Sequence, residues 1–414
     1  MTTSRRILVV TPVVPHSRAW GFTNRILSLA TELSGSHAVS LMCYMKPDDE
    51  QYLPVVQAMF EEVHVVPYPV PPAGSRRLLQ ARSFLSGTPY QRLQLRSPQL
   101  QQAVDALFER RSFDVVQLET THLGELRFPP GVAVVLDEHN IEYELFERMA
   151  HGDRHLLRHS YYSLEASKLR RLERRHWASV DACLVTSDRE AAIVREVTGP
   201  GVPTQVVPNG VDLEFFQPQP DTLVEPDRIV FTGLMSYRPN IDGVGYLVGD
   251  IAPLVRRLRP DAHVFAVGQN VADEVARLGG PSVTITGFVP DVRPYLASAA
   301  VVAVPLRMGS GTRLKVLEAL AMGRPVVTTR LGAEGIDVRD GEHLLFADGP
   351  GDFADALVRV LQDTELAQRL SAGGRRLVEE RYGWEAAGGR LSAFYGGPDW
   401  WSPCAIATAA SERP

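Results

Sequence analysis

The stretch Gly309-Ser310-Gly311-Thr312-Arg313-Leu314-Lys315 has the make-up of a phosphate cradle. Its glycines leave backbone N–H groups unshielded. The apolar spacing of Leu314, Leu317, Leu320 and Ala321 predicts a helix opening at Gly311–Thr312. A helix start with unshielded N–H groups is an anion site. Arg313 and Lys315 add two full positive charges on the predicted first turn. A cation there is mildly unfavourable for the helix dipole, and an anion seated between the two resolves the conflict. Glu318, one turn further, is suited to accepting hydrogen bonds from sugar hydroxyls. A plainer reading also fits: a solvated first turn with a Lys315–Glu318 surface pair at i,i+3 spacing.

Two other clusters carry chemistry. The apolar run Phe113–Leu118 ends in Glu119-Thr120-Thr121-His122, and Val132–Leu136 ends in Asp137-Glu138-His139-Asn140-Ile141-Glu142. Dense polar groups straight after a buried strand mark the ligand-binding edge of a parallel α/β sheet. Each histidine can move a proton near neutral pH, or can be an ordinary hydrogen-bonded loop residue. Glu119 and Glu138 could serve as acid or base.

The elements that must position these groups follow from hydrophobic runs. Strands are predicted at Arg6–Val10, Val39–Cys43, Val63–Val66, Phe113–Leu118, Val132–Leu136, Asp181–Thr186 and Gln205–Val207. A second series runs through Arg228–Thr232, His263–Val267, Val283–Thr286, Val301–Val304 and from Val326. Gly21 opens a helix to about Leu33, after a polar, proline-containing loop over Thr11–Trp20. Pro67–Arg96 reads as an insertion with one helix, and Ser160–Val180 as a long basic helix with a solvated face. Either segment could touch an anionic membrane surface. Gly323 stops the helix of the cradle, followed by Pro325.

Composition narrows the class. The chain has 414 residues, enough for two domains; 44% are hydrophobic, 22% charged, and the net charge is −6. That balance does not favour nucleic acid as a partner. Cys43, Cys183 and Cys404 are far apart, which fits a reducing cytoplasm. No apolar run reaches the length of a membrane span, and the N-terminal run stops at Pro12, too short for a signal-peptide core. No DxD, HExxH or other group with metal spacing stands out, so neither metal nor cofactor is expected.

GSGTRLKVLEALAMGRPVV, with GFVPDVRPYLASAAVVAVPLR before it, resembles the donor-binding core of the retaining GT-B glycosyltransferases of family GT4. The PNGVD…FF string from Pro208 is similar to the domain crossing of that group. The resemblance implies a GT-B fold: two Rossmann-like domains with parallel sheets facing across a cleft. Residues 1–212 would form the acceptor-side domain, completed by a C-terminal helix at about 384–396. Residues 213–227 would be a linker, 228–383 the donor domain, and 397–414 a tail.

It further implies transfer of a sugar from a nucleoside-diphosphate sugar to an acceptor hydroxyl, with retention and without a metal. His139 would contact the transferred sugar, with His122 as second candidate; Glu119, at the carboxyl end of the fourth strand, is the further catalytic candidate. Gly21, Ser310, Gly311, Thr312, Arg313, Lys315 and Glu318 would bind the donor. Three departures stand out. Only Gly21 matches the usual glycine pair of the first loop. Ser310 replaces the first of two glutamates spaced eight apart, Glu318 being the second. Met235 and Tyr237 stand where phosphate-gripping cations are usual, leaving Arg238 as the nearest. The acceptor class stays open among polysaccharide, lipid-linked glycan and small metabolite, and the base among UDP, GDP and ADP. A sugar-nucleotide epimerase on the same fold and a non-catalytic binder are the alternatives. A cytoplasmic protein, with the inner membrane face as one place of work, is expected.

Overall fold

The computed structural model describes residues 4–16, 21–69, 75–152 and 155–397. Loop residues 17–20, residues 70–74 of the insertion and all but residue 397 of the expected tail 397–414 lie outside the described residues. The chain divides into two compact units, Met1–Pro208 with the stretch from Ala387 onward, and Asn209–Ala386.

The first unit is built on a seven-stranded parallel sheet. Its strands are β1 (Arg6–Thr11), β2 (Ala38–Met45), β3 (Glu62–Pro67), β4 (Val115–Leu118), β5 (Ala133–Glu138), β6 (Ala182–Val185) and β7 (Thr204–Val206). They lie in the order β3-β2-β1-β4-β5-β6-β7. Central strands such as Ile7-Leu8-Val9-Val10 are apolar without alternation because both faces are covered. The order reverses between β1 and β4, so the chain leaves in opposite directions from their carboxyl ends and opens a crevice there. Glu119 directly follows β4.

The second unit repeats the plan with six parallel strands, β8 (Arg228–Thr232), β9 (His263–Val267), β10 (Val283–Gly287), β11 (Val301–Val304), β12 (Val326–Thr328) and β13 (Leu345–Phe346). Their order is β10-β9-β8-β11-β12-β13, with the reversal between β8 and β11. The glycine loop 309–311 follows β11, again at the reversal.

Three elements differ from expectation. The insertion holds two helices, Ser75–Leu85 and Tyr90–Leu95. The long basic helix runs Leu156–Trp177, starting before the expected Ser160 with an exposed pair, Leu156 and Leu157, that no apolar spacing marks as helical. It is also not simply solvated on its charged side. Lys168 Nζ donates to Glu165 Oε1 at 2.8 Å, Ser83 Oγ donates to the same oxygen at 2.9 Å, and the Tyr90 N–H donates to Glu165 Oε2 at 2.8 Å. This buried, fully paired cluster fastens the insertion to the helix. Finally, the cradle helix begins at Leu314 rather than Gly311, with Arg313 in extended conformation as its cap residue. Gly323, at φ 64°, ends it as expected.

Candidate functional site

In the second unit, three backbone turns converge at the carboxyl ends of β8, β9 and β11. A Cβ on Gly268 would stand 1.7 Å from the Gly233 carbonyl oxygen, so β8 and β9 can leave the sheet this closely only with glycine there. Lys315 reaches into this corner. Its ammonium donates to Asn240 Oδ1 at 2.7 Å and lies 4.0 Å from the centre of the Phe231 ring. Asn240 is fixed in turn by donating Nδ2–H to the Leu234 carbonyl at 2.8 Å. Burial pulls the Lys315 pKa down to about 7, the nearby charge of Glu318 opposing the shift. Burial likewise lifts Glu318 to about 7, with Lys315 opposing.

The Lys315–Glu318 surface pair is not formed: the lysine turns to Asn240, and the Glu318 carboxylate makes no ion pair or hydrogen bond among the described residues. Arg313 also departs from expectation. Its guanidinium folds back on the loop and donates to the carbonyls of Ser310 and Gly311. Gly309 and Gly311 hold φ of 129° and 71°, and a Cβ on Gly309 would press against the Arg313 guanidinium at 2.9 Å. Arg313 therefore shapes the loop, Thr312 lies between it and Gly311, and Lys315 is the cation directed at the corner. Arg238 is paired on the surface with Glu274 at 3.2 Å, and Met235 is core.

In the first unit, His139 Nε2 lies 2.8 Å from Glu119 Oε2 and 3.8 Å from Asp137 Oδ2. Glu119 Oε1 accepts from Gln117 Nε2 at 2.6 Å. Both oxygens of Asp137 are taken by Arg25, whose Nε and Nη2 donate at 3.0 and 2.9 Å while its Nη1 donates to the Val207 carbonyl at 2.8 Å. Arg25 and Asp137 are fully buried. Gly21 opens the helix Gly21–Ser34 that carries Arg25, and Phe22 of its first turn packs on the His139 ring, centroids 4.4 Å apart. Burial holds Glu119 above the usual carboxylate range; the hydrogen bonds from His139 and Gln117 oppose this, and the Asp137 charge adds to it.

The structure brings His139 and Glu119 together but not His122. That ring is buried elsewhere, Nε2 at 2.9 Å from Gln91 Oε1, and burial lowers its pKa to about 3. Glu138 points away to accept from the Trp177 indole at 2.8 Å, and burial holds it well above the usual range.

The expectation that no group has metal spacing needs correction, because Glu119, Asp137 and His139 bring ligand atoms within 4.8 Å of one another. The strand ends unite them, which linear spacing hides. Their donor set is satisfied without a cation, however. A dication would have to displace a buried guanidinium from Asp137 and an amide from Glu119.

Residues the sequence reasoning did not assign are Arg25, Gln117, Asn240 and Tyr395. Two left a trace. Arg25 sits on the apolar stripe of its helix with Leu29 and Leu33, and Gln117 interrupts a buried apolar strand. A polar group in such a place implies a buried partner.

With this geometry in view, comparison with known proteins is decisive for the family. Residues 226–363 match the model of the glycosyl transferases group 1, and residues 21–210 match the glycosyl transferase 4-like domain. The chain belongs to the group 1 glycosyl transferases, of GT4 type. A GDP-mannose-dependent alpha-(1-6)-phosphatidylinositol monomannoside mannosyltransferase of Mycobacterium tuberculosis is 28% identical over 232 residues, 49% of this chain and 58% of that protein. The match thus spans little more than half the length of that relative. Sucrose-phosphate synthase from Thermosynechococcus elongatus superposes with a TM-score of 0.69 at 18% identity, covering 94% of this chain and 98% of that one. Anabaena HepE, in complex with UDP and glucose, gives 0.66 at 14% identity, covering 94% and 99%. The fold of this family member is GT-B.

Proposed function

We propose that this family member is a glycosyltransferase that moves a sugar from a nucleoside-diphosphate sugar to an acceptor hydroxyl. The observation that carries the reading is Lys315. It is a cation brought to a corner of glycine turns, with one hydrogen bond and an aromatic face in place of a carboxylate partner, and burial has already lowered its pKa. An anionic diphosphate there would restore the charge balance and would be stabilised as a leaving group. Gly311 and Thr312 would offer backbone N–H groups at the loop, shaped by Arg313 and Ser310. Glu318 would accept from ribose hydroxyls. His139, oriented by Glu119, would contact the transferred sugar, and Gly21 would begin the helix that supports it.

Retention and metal independence belong to the same proposal, supported by the GT4 membership and by the satisfied carboxylates around His139. The mannosyltransferase named above is GDP-mannose-dependent and HepE was solved with UDP and glucose, which supports a nucleotide-sugar donor without choosing its base and does not favour an epimerase. A lipid-linked or glycan acceptor fits the phosphatidylinositol relative. Membrane contact is supported by Leu78, Phe84 and Leu85, exposed on the helix Ser75–Leu85. Among the described residues no helix is long and apolar enough to cross a membrane.

The test is a panel of sugar nucleotides. A transferase slowly hydrolyses one of them and releases the nucleoside diphosphate. An epimerase would change the sugar and keep the diphosphate, and a binder would do neither; either result overturns the reading.

A further inference from the structure

Beyond Glu119 the hydrogen-bond chain continues. Gln117 donates its amide to Glu119 Oε1 at 2.6 Å and, through its carbonyl, accepts the Tyr395 hydroxyl at 2.5 Å. Gln117 is 2% exposed and Tyr395 fully buried. Tyr395 lies on the helix Trp384–Gly396, and its carbonyl accepts from Arg5 Nε at 2.6 Å at the edge of β1. The order Tyr395, Gln117, Glu119, His139 thus runs from a late helix through two positions of the β4 segment to the imidazole at the end of β5.

With Glu119 ionised, each link has one workable polarity. The phenol is a donor, because burial holds its pKa well above the usual value. It faces the Gln117 carbonyl, which commits the amide N–H to Glu119. Glu119 Oε1 accepts that amide, and Oε2 faces His139 Nε2 at 2.8 Å. A carboxylate that accepts there takes Nε2–H and leaves the Nδ1 lone pair open. The other charged groups facing Glu119 and Tyr395 are Asp137 at the end of β5, whose charge raises both pKa values, and Arg25 from the first helix, which pairs with Asp137 and opposes the shift at Tyr395.

We propose that Gln117 and Tyr395 are positioning residues for His139, fixing its tautomer and ring orientation through Glu119. The inference rests on the role given to His139 above. In that role an imidazole holding Nε2–H on Glu119 offers Nδ1 as an acceptor for a sugar hydroxyl, and a mixed tautomer population offers it only part of the time.

The experiment is nitrogen-15 NMR of the histidine rings in the wild type, Gln117→Met and Tyr395→Phe, with His139 assigned by its loss in His139→Asn. The wild type is expected to show His139 as a single Nε2–H tautomer and both variants a mixture. In turnover with whichever donor the sugar-nucleotide panel identifies, each variant is expected to lose about five- to tenfold in kcat, the scale of one hydrogen bond. Donor KM stays within about twofold, and the double variant is no worse than Gln117→Met alone, because both cut one chain. Tyr395→Phe removes a single hydroxyl and guards against misfolding of the bulkier change. An unchanged His139 tautomer in folded Tyr395→Phe and Gln117→Met would overturn the proposal. Wild-type turnover by His139→Asn would instead sink the functional reading of His139, while the ring-nitrogen spectra still decide the positioning role.

Discussion

The ammonium of Lys315 stands 2.8 Å from where a Cβ on Gly233 would be. A side chain on Gly233 and the present seat of Lys315 therefore exclude each other. The lysine gains a narrow corner in exchange for solvent, and an anion entering it meets a poorly hydrated cation. Lys315→Ala should weaken binding of the free nucleoside diphosphate by about 1.5–3 kcal/mol, the scale of a hydrogen bond to a charged group. Calorimetric titration with GDP and UDP checks this, and unchanged affinity for the better of the two would remove Lys315 from the donor site.

The same binding should take up protons. With a pKa of about 7 in the free protein, Lys315 is mostly neutral at pH 8. A diphosphate favours the ammonium and raises that pKa, so part of a proton must enter on binding. Titrations at pH 8 in buffers of different ionisation enthalpy should give a positive uptake that falls in Lys315→Met and disappears when Glu318→Gln is added. At pH 6, where the lysine is already charged, that contribution should shrink towards zero.

Glu318 lies one helical turn beyond Lys315 and makes no ion pair with it, so its replacement removes no surface bridge. Glu318→Gln should leave the melting temperature within a few degrees and lower kcat/KM for the donor by roughly 2 kcal/mol, chiefly through KM. Wild-type donor kinetics in that variant would leave Glu318 without a role in ribose binding.

Arg25 and Asp137 predict a stability effect. Arg25→Met leaves a fully buried carboxylate without its cation and should cost about 3–5 kcal/mol. Arg25→Met with Asp137→Leu should recover much of that loss, because no charge is then stranded. Urea denaturation of the three proteins measures both quantities.

Turnover should survive exhaustive dialysis against EDTA. Glu119, Asp137 and His139 are near enough to share an ion, but Arg25 and Gln117 already hold the carboxylates. Loss of activity restored by added Mg²⁺ or Mn²⁺ would overturn that reading.

The sheets were legible in the sequence because buried parallel strands announce themselves as unbroken apolar runs. His263–Val267 and Val301–Val304 have the expected bounds. The cradle was legible for the same reason, its glycines sitting between an apolar strand and an amphipathic helix. Side-chain directions were not. Arg313 and Lys315 look alike in the sequence, yet two carbonyls capture the first and an asparagine 75 positions away holds the second. Glu119 and Glu138 are both acids at strand ends, and only the alternation of the pleat sends one to His139 and the other to Trp177. Tyr395 is 278 positions from Gln117, and no periodicity connects them.

That separation has a consequence in time. The helix with Tyr395 lies against the first helix so closely that a Cβ on Gly388 would stand 2.2 Å from Glu32 Cβ. A ribosome reading from the N-terminus lays down all seven strands of the first sheet, then the whole second unit, before it makes this piece. Until then Gln117 lacks the phenol whose hydroxyl it accepts. The first unit is therefore completed only after the second has been made, and its histidine gains the Tyr395 end of its chain no earlier than that.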